Sequence, residues 1–368
     1  MRLESITINN FKNIGEASLE FSPSLNCLLG DNGMGKSNLL DAIYFLSYCR
    51  SFSGMTDTAV MKRDADFFSL QGVYQRKNVT ETLHIGMNKG KRKVLKRKGK
   101  EYTKLSEHIG AFPLVLVAPR DSFLIIGSSE ERRKFMDMII SQGNPIYLNA
   151  LMRYHKALDQ RNKLLRAGVI DTTLYEAIEM SMCQAAETIH TIRKEWLPEF
   201  EEKFRKYYNQ IAGGSETVSL RIKSHLAQEG AVMQDLLAEA RRHDEIVGYT
   251  TVGPHRDDIE IFVNGLEARH TASQGQSKTI TISMRFAQFE FLRQSTGLTP
   301  ILMLDDIFDK LDSSRVSRII NIVSSEQFGQ IFITDTNREH LDVILRDSTA
   351  GRAMWLVEDG KFKSLIKE

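Results

Sequence analysis

The sequence predicts an α/β fold in which one domain is interrupted by a mainly helical insertion. Near its start, an apolar strand, a glycine-rich loop and a helix follow one another within residues 25–48. Near its end, the apolar run Ile301–Leu304 is followed by two acidic residues, as is typical of a buried parallel strand at its carboxyl end. A long polar stretch with helical spacing lies between them. We therefore expect one domain over residues 1–120 and 246–368, with residues 121–245 inserted.

Length, charge and cysteine content are those of an ordinary globular protein. The chain has 368 residues, of which 42% are apolar and 26% charged, enough to bury a sizeable core. Its apolar runs are far shorter than the ~20 residues that span a membrane, and no signal-peptide pattern opens the chain. The three cysteines lack metal-ligand spacing, which is typical of reduced thiols in a cytoplasmic protein. Because the net charge is only +2, nucleic-acid binding would depend on local basic patches.

Local patterns predict individual elements. The helix after the glycine-rich loop is expected to run to about Tyr48. Residues 66–105 are expected to form a strand meander, with a turn at residues 88–90. In the inserted part, apolar residues recur at helical spacing from Ile178 to Ile192, and Pro198 is expected to break that helix.

The loop between the first apolar strand and its helix fits the phosphate-loop pattern G-x-x-x-x-G-K-[ST]. Its glycines let backbone N–H groups face a phosphate, and the helix N-terminus adds the positive end of its dipole. Lys36 is expected to reach the β- and γ-phosphates of a nucleotide, and Ser37 to hold Mg²⁺. The alternative is an incidental glycine turn. The candidate nucleotide-binding residues are Gly30, Asp31, Asn32, Gly33, Met34, Gly35, Lys36 and Ser37.

The acidic end of the run Ile301–Leu304 supplies the expected second half of this site. Ligands bind at the carboxyl ends of parallel strands, so Asp305 is placed to hold Mg²⁺ directly or through water. Asp306 is expected to point the other way by strand alternation, and there to orient or deprotonate an attacking water. By themselves, the two acids are equally well explained as a solvated strand end. Beside a phosphate loop, they indicate a nucleotide site.

A third element is the segment Ser273-Gln274-Gly275-Gln276, which precedes a predicted helix. A serine and a glycine at a helix N-terminus suit an anion, although Ser273 by itself is better explained as an N-cap. Together with the other two elements, the segment makes Ser273, Gly275 and Gln276 candidates for contact with the nucleotide. The buried face of the helix is marked by Ile280, Met284, Ala287 and Phe291.

These three elements, followed by Leu311-Asp312, resemble the phosphate loop, signature, Walker B and D-loop of ABC-type P-loop ATPases. In that family the signature of one subunit completes the phosphate site of another. The resemblance therefore implies an ATP-dependent homodimer with Mg²⁺, and catalytic roles for Lys36, Ser273, Asp305 and Asp306. The stretch between Lys36 and Ser273 suits an ATPase head with an inserted lobe, and it leaves no room for the long coiled coil of SMC proteins.

Further segments resemble the RecF family of bacterial DNA replication and repair proteins. Residues 127–137 resemble its G-S-x-x-x-R-R-x-F-x-D, 154–162 its Y-x-x-x-L-x-Q-R-N, 251–258 its T-x-x-G-P-H-R-D-D, and 50–52 its R-S-F. The resemblance covers nearly the whole chain. It implies a weak, DNA-stimulated ATPase of recombinational repair, replication restart and the SOS response, which helps to load the recombinase at gaps. It also implies RecR, RecO and RecA as partners, and a cytoplasmic protein that joins the nucleoid when bound to DNA.

Two positions depart from the general ABC pattern. Asp306 stands where most ABC ATPases have glutamate, and a shorter carboxylate holds water less closely, which is consistent with slow turnover. After Ile331–Ile333, Thr334 occupies the place where transporters have a switch histidine. Thr334 is therefore the positional candidate for the γ-phosphate sensor.

A basic stretch over residues 89–104 is the candidate DNA-binding surface. On a β-hairpin, alternate side chains share a face, so the stretch predicts a basic strip able to neutralise DNA phosphates. No aromatic residue interleaves before Tyr102, so base stacking is not indicated. The alternative is a charged edge that blocks strand pairing, and the pattern does not distinguish single-stranded, gapped or double-stranded DNA. The residues assigned to DNA are Lys91, Arg92, Lys93, Lys96, Arg97 and Lys98.

Other classes of protein compete with this interpretation. A transporter ATPase subunit would leave the basic strip without a purpose. A monomeric P-loop kinase or GTPase would leave Ser273-Gln274-Gly275-Gln276 unexplained, and the guanine-specifying N-K-x-D is missing. The runner-up is the ATPase subunit of another ABC/SMC-type chromosome-associated complex, which the lack of room for a long coiled coil disfavours.

Overall fold

The structure of the chain, a computed structural model, divides into two compact units. One unit combines Met1–Asp121 with Gln288–Glu368, and the other is Ser122–Ala287. The second unit extends further along the chain than the insertion expected over residues 121–245, and the expected domain boundaries stay a prediction. The structure describes residues 1–169, 171–214, 216–308, 311–337 and 351–367.

The first unit contains an antiparallel sheet. Its strands are β1 (Arg2–Phe11), β2 (Ile14–Glu20), β4 (Phe67–Arg76), β5 (Val79–Asn88), β6 (Val94–Arg97) and β7 (Lys100–Glu101). They lie in the order β2-β1-β4-β5-β6-β7. Buried and exposed residues alternate along them: Leu70 and Tyr74 are buried, whereas Gln71 between them is exposed. The meander expected over residues 66–105 is therefore confirmed, with one face of the sheet in the core.

The other sheet of this unit is mainly parallel. Its strands are β3 (Leu25–Leu29), β8 (Leu114–Val117), β12 (Ile301–Asp305), β13 (Ile331–Asp335), β14 (Arg352–Glu358) and β15 (Lys361–Lys367). Their order is β15-β14-β3-β13-β12-β8, and only β15 pairs antiparallel. Every residue of β12 is buried, as expected for a parallel strand covered on both faces. Because β3, β13 and β12 are adjacent and parallel, their carboxyl ends meet at one edge.

Helix α1 (Lys36–Tyr48) packs between the two sheets and ends where the sequence predicted. Phe45 meets Phe11 and Phe68 of the antiparallel sheet edge to face, with ring centroids 5.7 and 5.6 Å away. The same core includes Leu28 of the parallel sheet. Burying one such side chain contributes about 1.5–3 kcal/mol, so this packing fixes the direction in which the helix N-terminus points.

The second unit is mainly helical. It contains α2 (Phe123–Ile126), α3 (Ser129–Gly143), α4 (Pro145–Arg166), α5 (Thr172–Ala212), α6 (Met233–Val247) and α7 (Ala268–Thr271). Helix α8 (Gln274–Thr296) begins in this unit and ends in the first, which also contains α9 (Ser313–Val323). No helix within the described ranges has both the length and the apolar character that crossing a membrane requires.

The second unit also has a small antiparallel sheet of β9 (Val218–Lys223), β10 (Asp258–Val263) and β11 (Leu266–Glu267), with β10 in the middle. Strand β9 lies in a stretch that the sequence predicted to be helical, so that expectation is wrong there. Val218 and Leu220 are buried between exposed neighbours, a period of two that is short and easily missed beside long helices.

Helix α5 runs unbroken through Pro198, so the predicted break is wrong. Trp196 and Phe200 on either side of the proline are buried, and their rings stack 4.5 Å apart. Packing on both sides outweighs the missing backbone hydrogen bond. The apolar face predicted for this helix is confirmed at Met182 and Ile189, both fully buried.

Replacing the exposed Pro198 with alanine tests this correction. Pro198→Ala restores an N–H to the helix interior, so we expect the free energy of unfolding in urea to rise by about 1–3 kcal/mol. Glu195→Ala, a substitution of an exposed residue one turn earlier, serves as the control. It should change the free energy of unfolding by less than about 0.5 kcal/mol. A lower stability for Pro198→Ala would contradict a continuous helix at this position.

Candidate nucleotide site

The phosphate loop lies between β3 and α1, at the carboxyl edge of the parallel sheet. Gly35 precedes the helix with φ 112°, in the region of backbone conformation that favours glycine. At the other end of the loop, a Cβ on Gly30 would lie 2.5 Å from the carbonyl oxygen of Val357. Backbone conformation at Gly35 and close packing at Gly30 therefore both favour glycine at the ends of the loop.

Two donors outside the motif hold the loop at Met34. The side-chain amide of Asn13 donates to the Met34 carbonyl oxygen at 3.3 Å, and the backbone N–H of Gly360 donates to the same oxygen at 2.8 Å. Asn38 donates to Asn13 Oδ1 at 2.8 Å. Sequence reasoning missed these contacts. Asp359-Gly360 is a recognisable hairpin turn signal, but nothing in it indicates which loop the turn touches.

Lys36 is the first residue of α1, and its ammonium group faces the loop. Nζ donates to the carbonyl oxygens of Gly30 at 2.6 Å and Asp31 at 3.0 Å. The side chain is buried, and burial lowers the pKa of Lys36, while carboxylates led by Asp306 oppose that shift. The loop thus holds a largely desolvated positive charge at the position where the motif predicts phosphate.

Asp305, the last residue of β12, joins three segments. Its Oδ1 accepts from Ser37 Oγ at 2.9 Å and from Thr334 Oγ1 at 2.7 Å. Burial raises the pKa of Asp305, and the hydrogen bonds from Thr334 and Ser37 oppose that shift. The structure therefore brings the predicted Walker B acid, the loop serine and the positional γ-phosphate candidate into direct contact.

Asp306 lies one residue beyond β12 and has φ 49°. Strand alternation does not apply there, so the prediction that it points away from Asp305 is wrong. Both carboxylates line one cavity of about 120 Å³ together with Lys36. A left-handed backbone at a non-glycine residue persists where its surroundings hold it. Here the backbone N–H of Asp306 donates to Thr334 Oγ1 at 3.1 Å and to the Thr334 carbonyl at 3.3 Å.

Ser273 and Gln276 form a capping box at the start of α8, in the second unit. The N–H of Gln276 donates to Ser273 Oγ at 3.2 Å, and the N–H of Ser273 donates to Gln276 Oε1 at 2.9 Å. Gln276 Nε2 also donates to Glu216 at 2.5 Å, and the Gly275 carbonyl accepts from Thr279 at 2.9 Å. Ser273 is exposed. Because its oxygen acts as an acceptor in the cap, its hydroxyl proton stays available to donate.

The R-S-F segment supports the fold around α1. Buried Asp41 of α1 accepts from Ser51 Oγ at 2.5 Å and from the Phe52 N–H at 2.8 Å, and it forms an ion pair with Lys12 at 2.5 Å. A buried carboxylate without partners is costly. These contacts give Ser51 and Phe52 a structural role in holding the chain that follows the helix.

The basic strip is divided between free and paired cations. Lys93 Nζ pairs with Asp57 at 2.8 Å, and Arg97 pairs with Glu81 at 2.6 Å, so both charges are neutralised within the chain. Lys98 also reaches Glu81, at 3.4 Å, although its side chain is half exposed. In the described part of the chain, no carboxylate pairs with the cations that remain exposed on this strip. Among the six residues assigned to DNA, those cations are Lys91, Arg92 and Lys96.

A phosphate loop at the carboxyl edge of a parallel sheet, joined to a helical second unit, is the architecture of an SMC-type ATPase head. The RecF/RecN/SMC N terminal domain family matches residues 2–354. DNA replication and repair protein RecF of Parabacteroides distasonis is 46% identical over 365 residues, which cover 99% of this chain and 100% of the relative. RecF of Bacteroides fragilis is 44% identical over 367 residues, 99% of each chain. The chain belongs to the RecF family.

Solved structures agree with this family. A structure described as the recombination mediator protein RecF-ATP in the RecFOR pathway is 28% identical, with a TM-score of 0.89, and the match covers 99% of this chain and 97% of that one. An Smc head domain from Pyrococcus furiosus shares the fold, with a TM-score of 0.59 at 16% identity over 99% and 96% of the chains. The predicted ABC-type α/β head with a helical insertion is confirmed. In the described ranges, the longest helix has 41 residues, so no long coiled coil is present there.

Removing the Lys36 ammonium group tests the phosphate loop. Lys36→Ala loses a charge-assisted contact worth about 1.5–3 kcal/mol, so we expect the affinity for ATP, measured by equilibrium titration, to fall about tenfold or more. Lys363→Ala removes an exposed lysine of β15 and should leave the affinity unchanged. Equal affinities in Lys36→Ala and the parent chain would remove the ammonium group from the nucleotide site.

Proposed function

We propose that the protein is an ATP-dependent DNA-binding protein of recombinational DNA repair and replication restart. Two copies enclose two ATP molecules, the closed homodimer binds DNA and helps to load the recombinase at gaps, and slow hydrolysis reopens it. The observation that carries this proposal is the convergence of Ser37, Asp305 and Thr334 beside the phosphate loop. Membership of a family whose relatives are named for DNA replication and repair supports it.

The residues present suit a nucleoside triphosphate with Mg²⁺. Ser37 Oγ and Asp305 Oδ1 are hard oxygen ligands 2.9 Å apart, of the type that Mg²⁺ prefers, and would hold the ion. Lys36 supplies a point charge for the β- and γ-phosphates. Bound Mg²⁺ neutralises phosphate charge during transfer to water. Asp306 orients that water, and because its side chain is one methylene shorter than glutamate, it holds the water less closely and turnover is slow.

Ser273 of a second copy completes the site in this proposal. The serine is exposed at the N-terminus of α8, a helix of 23 residues, where backbone N–H groups and the dipole favour an anion. In the cap, Ser273 Oγ accepts a hydrogen bond, so its hydroxyl proton stays available to donate. We expect Ser273, with Gly275 and Gln276 beside it, to contact the γ-phosphate held by Lys36 of the other copy. Thr334, bonded to both acids, transmits the state of that phosphate to Asp305 and Asp306.

The partners proposed are DNA, RecR, RecO and RecA. A solved relative is described as a recombination mediator in the RecFOR pathway, which supports RecR and RecO. We place the protein in the cytoplasm, on the nucleoid when it is bound to DNA. The exposed cations Lys91, Arg92 and Lys96 are the DNA contacts that we retain, because Lys93 and Arg97 are already paired.

The solution mass of Asp306→Asn tests the ATP-gated dimer. The variant keeps Lys36, Ser37 and Asp305, so it should bind ATP but hydrolyse it slowly and accumulate in the closed state. By light scattering, we expect the 41.9 kDa monomer mass to nearly double only when Mg-ATP is present. A monomeric mass with ATP bound would contradict the proposal.

The double variant Asp306→Asn/Ser273→Arg is the matched control for that experiment. A bulky cation at position 273 should block the shared site while each monomer still binds ATP. The expected mass is that of the monomer with and without Mg-ATP. An ATP-dependent dimer of the double variant would exclude Ser273 from the interface.

A triple substitution on the basic strip tests DNA binding. Lys91→Gln/Arg92→Gln/Lys96→Gln removes three exposed charges, so DNA affinity should fall, and the slope of log affinity against log salt should decrease by about 2–3. The control removes the same charge from exposed helical residues of the second unit, as Arg153→Gln/Lys156→Gln/Lys194→Gln. Equal losses in both variants, measured by fluorescence anisotropy, would show that overall charge rather than the strip binds DNA.

A further inference from the structure

Segments that resemble the RecF family converge on one cavity of the second unit, and the proposed nucleotide chemistry uses none of them. The cavity has a volume of about 260 Å³, large enough for a side chain as well as several waters. Its lining includes Arg133 of α3, Tyr154 of α4, Arg193 of α5 and His255 of the turn before β10. Polar groups that converge on a concave surface from distant parts of a chain are typical of a binding site.

Arg193, on the floor of the cavity, has most of its donors bonded within the chain. Buried Arg193 donates from Nε to Tyr147 Oη at 2.9 Å, from one terminal nitrogen to Asp257 at 2.7 Å, and from the other to Asp137 at 2.7 Å. Removing one partner of such a buried pair is strongly destabilising. Four of the five N–H groups of Arg193 are therefore bonded within the chain, and the residue stabilises the shape of the cavity.

His255 is likewise committed to the structure. Its Nε2 lies 3.0 Å from the Thr250 carbonyl oxygen, which only accepts, so Nε2 carries the proton. Nδ1 then accepts from the Tyr154 hydroxyl at 2.7 Å. Burial lowers the pKa of His255 to about 4, so the ring is neutral at physiological pH. Both ring nitrogens are used, and the ring shapes the cavity wall.

Arg133 is different from its neighbours. One terminal nitrogen donates to the Asp257 carbonyl oxygen at 2.7 Å, and within the described residues its other N–H groups have no partner. The adjacent Arg132 forms two parallel bonds with the Asp258 carboxylate, at 2.7 and 2.8 Å. Burial lowers the pKa of Arg133, while the nearby carboxylates, led by Asp258, oppose that shift. Arg133 is thus a half-buried guanidinium group that, among the described residues, is hydrogen-bonded to no carboxylate.

We propose that this cavity receives the carboxylate of an aspartate or glutamate side chain from a partner protein, with Arg133 as the fork that binds it. The guanidinium edge formed by Nε and the second terminal nitrogen matches two carboxylate oxygens. Leu151 and Pro254 supply apolar walls for the methylene groups of such a side chain. Glu130 and Asp137 in the same lining are paired with Lys134 and Arg193, each at 2.7 Å. Arg133 therefore offers one unpaired positive charge, which matches a singly charged carboxylate better than a phosphate dianion.

The binding test uses N-acetylglutamate amide, whose only charge is the side-chain carboxylate, titrated at constant ionic strength. The Nε–H NMR resonance of Arg133, assigned by its loss in Arg133→Gln, should shift and saturate. N-acetylglutamine amide, the neutral counterpart, should produce no saturable shift, and inorganic phosphate should bind more weakly than the glutamate probe. The absence of a saturable shift, or tighter binding of phosphate, would overturn the proposal.

The adjacent arginines separate a binding role from a structural one. Arg133→Gln should leave the melting temperature nearly unchanged, because no carboxylate is left unpaired, while probe binding, followed by thermal shift, falls about tenfold or more. Arg132→Gln leaves Asp258 unpaired and should lower the melting temperature by about 5 °C or more. Arg133→Lys keeps the charge but not the fork, and should bind more weakly than the parent chain. A comparable loss of stability in Arg133→Gln and Arg132→Gln would show that Arg133 is structural and overturn the proposal.

Discussion

The proposed nucleotide site depends on one buried carboxylate oxygen. Asp305 Oδ1 accepts hydrogen bonds from the hydroxyl groups of Ser37 in α1 and Thr334 in β13. One atom thus links the phosphate loop, the strand β12 and the strand β13 that lies beside it. A buried acceptor that loses its donors is costly. Displacement of either donor segment would therefore destabilise the whole arrangement. The left-handed backbone of Asp306 is held by Thr334, the same residue that bonds Asp305. Thr334 is therefore both a structural clamp and a link between the two acids.

The phosphate loop is held from outside its own motif. Asn13 and Gly360 both donate to the Met34 carbonyl, and the glycines at the loop ends avoid contacts that any side chain would make. A loop whose carbonyl oxygen is held by two donors has less conformational freedom to lose when an anion binds. The ammonium group of Lys36 is held at the loop by hydrogen bonds to the Gly30 and Asp31 carbonyl oxygens. The site is thus preorganised by neighbours that no phosphate-loop pattern contains.

Secondary-structure elements that depend on short-range sequence patterns were predictable from the sequence. The bounds of β3, α1 and β12 follow from short-range patterns: a continuous apolar run, a glycine loop and a helical repeat. Helix α5 passes Pro198 because burial of Trp196 and contact of Phe200 with Phe135 of α3 override a local preference. The contact of Asn13 with the loop and the pairing of Arg97 with Glu81 join residues far apart or on neighbouring strands. Their side chains look ordinary in sequence, so only the folded chain shows which charges and amides are already used.

Whether a polar group is already bonded within the chain also separates structural from functional groups here. Arg193 and Arg132 are bonded to carboxylates, and neither needs a ligand to explain its burial. Ser273 and Arg133 also contribute to the fold, one through a cap and one through a backbone carbonyl, yet each keeps donors that no described residue accepts. A polar group held in place by one bond and unsatisfied in another direction is preorganised for a partner. The signature serine and the cavity arginine share this property, although they serve different ligands in our interpretation.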